Sequence, residues 1–127
     1  MTSPDGPATV TTKQALGAYG ESLAARWLVG RGMVLLDRNW RCPAGEIDLV
    51  LRDGEVLVVC EVKTRSSLDY GTPHEAVTER KVGRLRELAR RWQEEHGVSV
   101  PDVRLDMVCI LRPRRGPATI DHVRGLV

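Results

Sequence analysis

The chain has 127 residues, 42% of them apolar and 28% charged, with a net charge of +2 at pH 7. This is enough for one domain with its own core, and the near-balance of charge excludes a histone-like binder acting through bulk electrostatics while leaving room for a local basic face. No apolar run approaches the ~18 residues of a membrane span, so no membrane partner is expected, and three cysteines (Cys42, Cys60, Cys109) without C-x-x-C spacing argue for a reducing, cytoplasmic setting.

Residues 1–12, rich in Ser, Pro, Gly and Thr, read as a disordered tail with neither the basic start nor the apolar stretch of a signal peptide. Residues 13–127 read as a single domain. Lys13 to Gly30 has helical spacing: Leu16, Tyr19, Leu23 and Trp27 form an apolar stripe beside a small-residue face of Gly17, Gly20, Ala24, Ala25 and Leu28. Met33 to Trp40 is a strand, followed by a turn through Pro43. Glu46 to Arg52 and Glu55 to Thr64 are strands joined by Asp53-Gly54, a strong hairpin signal. The second of these is apolar on both faces, as expected of a central strand covered on both sides. Thr72-Pro73-His74-Glu75 has the residues of a helix start, and Val77, Leu85, Leu88, Ala89 and Trp92 give that helix its apolar face, with Gly97 ending it. Val103 to Leu111 is a strand, and Ala118 to Val123 a short last one. The order α-β-β-β-α-β predicts an α/β fold, a central mixed sheet flanked by helices, with the second helix crossing between parallel strands.

The hairpin holds the informative residues. Side chains alternate along a strand, so Glu46 and Asp48 share a face, as do Glu61 and Lys63. A two-residue Asp53-Gly54 turn pairs Arg52 with Glu55, which sets Glu46 opposite Glu61 and makes Asp48 and Glu61 diagonal neighbours, roughly 7–8 Å apart at Cα. Like charges on adjacent strands are destabilising, and carboxylates on a covered strand carry a desolvation cost. A hard divalent cation, Mg²⁺ or Mn²⁺, would offset both: such ions use one or two carboxylates, waters and substrate phosphate. Lys63, projecting to the same side, supplies the positive charge that phosphodiester hydrolysis needs. The plainer reading of an isolated E-x-K is a solvated cross-strand pair; here the paired aspartate, the apolar strand and the hairpin favour chemistry. Glu21, on the close-packing face of the first helix, is a further acid that can point toward the cluster, or else a solvated helix-edge glutamate.

The segments GAYGESLAARWL, RNWR, GEIDLV, CEVKTR and AVTERKVGRL, in chain order within a stretch from about Ala15 to about Ile110, resemble the YraN-type family of small bacterial proteins. That resemblance implies a restriction-endonuclease-like core with a PD-(D/E)xK site, similar to Holliday-junction resolvases. By it, Asp48 and Glu61 are metal ligands, Lys63 is the catalytic lysine and Glu21 matches the resolvase-type helix glutamate. Ile47 stands where the signature has proline. Since a four-way junction has two-fold symmetry, the analogy also implies a homodimer.

Arginine outnumbers lysine sixteen to three. Arg80, Lys81, Arg84, Arg86, Arg90 and Arg91 lie on one helix with Glu87 as the acid among them, and Arg112, Arg114 and Arg115 form a second cluster. Such residues suit phosphate binding, or else a solvated helix face. Arg41, Thr64, Arg65, Arg80 and Arg84 are candidate nucleic-acid contacts. Lys81 and Glu46 are candidate supports, Lys81 because it falls on the apolar side of its helix. Trp40 can stack on a base or pack under the turn, Tyr70-Gly71 can shape a groove, and Asp106 can pair with an arginine or support the site. His74, His96 and His122 are read as surface residues, and Cys60 as core. The sequence thus points to a Mg²⁺- or Mn²⁺-dependent nuclease on nucleic acid, with structured or branched DNA as the expected substrate. The alternative is a non-catalytic nucleic-acid-binding module on the same fold.

Overall fold

A computed structural model of the protein describes residues 12–67 and 77–126. Helix α1 spans Thr12–Gly30, followed by strands β1 (Val34–Cys42), β2 (Gly45–Asp53) and β3 (Val56–Arg65), helix α2 (Glu79–His96), and strands β4 (Val103–Leu111) and β5 (Thr119–Val123). The five strands form one sheet in the order β1-β2-β3-β4-β5. Every neighbouring pair is antiparallel except β3 and β4, which run parallel because α2 lies between them in the chain.

Each face of the sheet has its own core. Leu57 and Val59 of β3 and Leu105 and Met107 of β4 pack with Val82, Leu85, Leu88, Ala89 and Trp92 of α2. Val58, Cys60 and Val62, alternating with the first set, pack with Ala24, Ala25 and Leu28 of α1. The architecture is therefore helix, sheet, helix, with β3 buried on both sides at the centre. On α1 the small residues meet the sheet, while Tyr19, Leu23 and Trp27 are only partly buried at the margin. That choice permits a very close approach: a Cβ on Gly20 would lie 1.7 Å from Thr64 Oγ1. Among the described residues no helix is long and apolar enough to cross a membrane.

Two local readings are corrected. In the β2–β3 hairpin Asp53 pairs with Val56, so the loop is Gly54-Glu55 rather than Asp53-Gly54. Only Gly54 takes a positive φ, 61°, the pattern of a type II′ turn, which asks for glycine at the first loop position. The register therefore moves by two residues, which keeps Leu49 to Arg52 on their expected faces. The alternation breaks at Asp48: Ile47 packs with Val50 and Val59 on the α2 side, whereas Leu49 packs on the α1 side. Second, α2 begins at Glu79, not in the Thr72–Glu75 segment. Thr78 has an extended backbone and its Oγ1 accepts the N–H of Lys81 at 3.1 Å, so it is the N-cap. Val77 precedes the helix, yet packs in the same core as Val82, the arrangement of a hydrophobic staple. Thr72, Pro73, His74, Glu75, Tyr70, Gly71 and residues 1–11 lie outside the described residues. At the other end Gly97, at φ 64°, and Val98 donate to Glu94 and Gln93 in a Schellman closure.

Two residues read as surface or ambiguous prove interior. Asp106 is 0% exposed. It accepts from Arg104 Nε and Nη2 at 2.9 and 3.0 Å and from the Gly125 N–H at 3.0 Å, and sits 2.8 Å from His122 Nε2. His122 is therefore no surface residue: its side chain is 7% exposed and meets the Trp27 ring edge-on. Burial alone would push the Asp106 carboxyl up, but His122, Arg104 and the Gly125 N–H outweigh it and hold it below the usual range. His96 stacks on Trp92 with ring centroids 4.2 Å apart and lies 3.7 Å from Asp37.

Candidate active site

β2 and β3 place the central acids. Their pairing ends at Leu49 opposite Cys60, one residue short of Asp48 and of Glu61. Val59 pairs with Val50, so the expected placement of Asp48 opposite Val59 is corrected: Asp48 and Glu61 stand just beyond the last paired residues, where the two strands part. In place of a further ladder bond, Asp48 Oδ2 accepts the N–H of Val62 at 2.8 Å. Burial pushes the Asp48 carboxyl from the ordinary 3.8 up to about 6; the Val62 N–H opposes this, while the charges of Glu21, Glu61 and Glu46 add to it. Glu21, from α1, is likewise raised, by burial first and then by Glu46, and the Asn39 side chain hydrogen-bonds to it. Asn39 has φ 54° within β1, a left-handed conformation that asparagine tolerates better than most residues. Four acids from three elements thus act on one another electrostatically.

Glu61 anchors the cationic side. Its Oε2 lies 3.2 Å from Lys81 Nζ, and its Oε1 lies 3.6 Å from Arg84 Nη2 and 3.8 Å from Lys63 Nζ. Oε2 is buried and without a hydrogen bond: Lys81 is close enough for an ion pair but lies off the hydrogen-bonding direction. Lys81 thus reaches the acid strand from the first turn of α2, its side chain 16% exposed. Lys63 and Arg84 are more open, at 42% and 51%.

The remaining candidates separate. Glu46 pairs with Arg41 at 3.6 Å, which draws that arginine to the acid cluster. Thr64 packs its side chain against Gly20 and fixes α1 to β3. The Arg65 carbonyl accepts the N–H of Arg112 at 2.8 Å, and the Arg112 guanidinium lies 4.5 Å over the Tyr19 ring, bringing the second basic cluster to the carboxyl ends of β3 and β4. Arg80 is exposed and forms no ion pair among the described residues. Further along α2 the basic run neutralises itself. Glu87 meets Arg90 at 2.7 Å and Arg91 at 2.9 Å, and Glu94 meets Arg90 at 2.6 Å; the Arg90 and Arg91 hydrogen bonds lower Glu87 to about 2. Trp40 donates its indole N–H to Glu95 at 2.6 Å and packs against the α2-side core. Cys60 is fully buried and burial pushes its thiol up, as befits core.

The donors suit a hard cation: carboxylates at the ends of two neighbouring strands, one with a buried oxygen that lacks a hydrogen bond. Among the described residues no group of three His, Cys, Asp or Glu side chains stands ready to hold a metal by itself, so an ion here would draw further ligands from water and phosphate. Asn39 and the Arg112–Tyr19 contact were not singled out from the sequence as parts of the site. An asparagine inside an otherwise regular strand is the one local signal for the first.

The sequence profile of Uncharacterised protein family UPF0102 matches residues 20–110. A UPF0102 protein of Nocardioides sp. is 73% identical over 119 residues, covering 94% of this chain and 96% of the relative. UPF0102 proteins of Beutenbergia cavernae and Kineococcus radiotolerans are each 57% identical, over 114 and 118 residues, and cover 90% and 92% of this chain and 97% of their own lengths. The chain belongs to the UPF0102 family, the YraN-type family that its motifs resemble.

Proposed function

We propose that the protein is a metal-dependent nuclease that hydrolyses phosphodiester bonds, with structured or branched DNA as its substrate. The observation that carries this reading is the meeting of Asp48 and Glu61 where β2 and β3 part, Asp48 holding the N–H of Val62, the residue after Glu61, with Lys63 next along the strand. Asp48 and Glu61 would hold Mg²⁺ or Mn²⁺, with Glu46 and Glu21 assisting through water. The bound ion supplies Lewis acidity and lowers the pKa of a water molecule toward neutrality. Lys63, open to solvent, orients the attacking water and offsets negative charge growing on the phosphate oxygens. Arg41, Thr64, Arg65, Arg80 and Arg84 line the approaches where a nucleic-acid backbone would run, Thr64 through the segment it anchors. The half-buried and buried free cysteines suit a reducing cytoplasm, and a two-fold substrate suits a homodimer.

One observation favours a second reading, a binding module without turnover: Glu61 already has three cationic neighbours. A cleavage panel separates the two. Labelled four-way junction, flap, linear duplex, single strand and structured RNA are incubated with Mg²⁺, Mn²⁺ or EDTA. Metal-dependent cutting of the junction or flap, lost in Asp48→Ala and Lys63→Ala, is the expected result. Binding without cutting, unchanged in Asp48→Ala, would establish the binding module instead.

A further inference from the structure

Glu61 has more positive charge around it than it can neutralise. One carboxylate faces Lys81 at 3.2 Å, Arg84 at 3.6 Å and Lys63 at 3.8 Å. Lys63 shares its strand, but Lys81 and Arg84 come from α2, on the far side of a chain crossover. Lys81 makes the shortest approach of the three, and makes it to Oε2, the oxygen that is buried and without a hydrogen bond. That oxygen is held by charge alone, with no directional bond to be broken when another cation takes it. Lys81 is itself mostly buried, at 16% exposure, so little water is at hand to solvate its ammonium if Glu61 turns elsewhere.

We propose that Lys81, backed by Arg84, is the counter-cation of Glu61 in the metal-free protein and passes to the substrate backbone when a divalent ion takes the carboxylate. This rests on the metal-assisted reading of the site. Once Glu61 is shared with a divalent ion, Lys81 and Arg84 face that ion without their former partner, and a phosphate is the group that can balance all three charges. Metal and nucleic acid therefore bind with positive coupling, and the coupling is the same measured from either side. Lys81 is in this sense a positioning residue: it sets the order in which charge enters the site.

The test uses binding, not turnover. The full chain is titrated with Mn²⁺ by calorimetry in the absence of nucleic acid. Binding of a fluorescent four-way DNA junction is then followed by anisotropy in EDTA and in Ca²⁺. Lys81→Met removes a competitor, so Mn²⁺ should bind at least about fivefold tighter, the low end of ordinary couplings between sites. The gain in junction affinity on adding Ca²⁺ should fall by a similar factor. Lys81→Arg should keep both values near wild type. Arg84→Met, at a half-exposed position where truncation spares the core, should move both quantities in the same direction by less, and carries the test if circular dichroism shows Lys81→Met unfolded. Unchanged or weaker Mn²⁺ affinity in both methionine variants, with Asp48→Asn abolishing the binding, would overturn the proposal and leave the active-site reading standing. No Mn²⁺ binding to the wild type, or binding indifferent to Asp48→Asn, would overturn both.

Discussion

Asp48→Asn should stabilise the metal-free protein, and by an amount that depends on pH in a defined way. Burial, reinforced by Glu21, Glu61 and Glu46, raises the Asp48 carboxyl from 3.8 to about 6. A group whose folded pKa is raised contributes stability that is full below its unfolded value and lost as pH rises through its folded value. For Asp48 that window runs from 3.8 to about 6. At about 1.36 kcal/mol per pH unit, ionising the folded protein costs about 3 kcal/mol more than ionising the unfolded chain. Asparagine keeps an oxygen for the Val62 N–H and never ionises. Its own fixed cost, an amide N–H₂ among acids, is the same at every pH, so the change across pH is the clean quantity. Urea denaturation in EDTA should show the stability difference, variant minus wild type, rising by about 3 kcal/mol between pH 3 and pH 7 and flat above. A difference that stays constant across that range, or that shrinks with rising pH, would refute the assignment of a buried, acid-surrounded carboxyl to Asp48.

The same carboxyl must lose its proton to hold a metal, so Mn²⁺ affinity of the wild type should fall as pH drops below about 6, measured by calorimetry at fixed ionic strength. Gly20→Ala should destabilise by about 1–3 kcal/mol or more, because turning Thr64 moves Oγ1 away but leaves its Cβ 2.8 Å from the new methyl; an unchanged urea midpoint would show that α1 can lift off β3 freely. Asp106→Ala takes the buried partner from His122 and one of two acids from Arg104, which keeps Asp53 at 3.0 Å, and should cost about 1–3 kcal/mol. Its pH dependence runs opposite to that of Asp48: with a lowered carboxyl, the contribution is present above the ordinary value of 3.8 and lost as pH falls below it, so the Asp106→Ala penalty should shrink in acid.

Much of the fold was legible because periodicity reports burial directly. β3 alternates apolar residues on both faces and lies at the centre of the sheet, and β4 occupies Val103–Leu111 as its pattern predicts. The start of α2 was not legible in the same way. Threonine followed by an acid within a turn occurs twice, at Thr72 and at Thr78; the first lies outside the described residues, and the second caps α2, with Val77 packed in the α2-side core. That the hairpin carries both acids was readable from the strand pattern, whereas the register depended on which turn residue takes positive φ, and the break in alternation at Asp48, with Ile47 and Leu49 in opposite cores, has no local signal. Lys81 could be placed on the apolar side of α2, but not the meeting of Arg84 with the same carboxylate. That contact depends on how α2 crosses the sheet. His122 was misread because a histidine in a short edge strand looks exposed until the buried Asp106 opposite it is known.

The chain order of the sheet has a consequence for how the protein folds. β1, β2 and β3 are successive hairpins, so their pairings close loops of only a few residues. The β3–β4 pairing joins Leu57 to Val103, across all of α2, and must await the slower closure of a long loop. Both central acids lie in the early-closing part, and the cations Lys81 and Arg84 arrive only with the late part. Kinetic analysis of conservative core truncations should therefore give higher φ-values in β2 and the first half of β3 than in β4. Neutralising Asp48 should then speed folding as well as slow unfolding, since its repulsion from Glu61 is felt before the second helix docks.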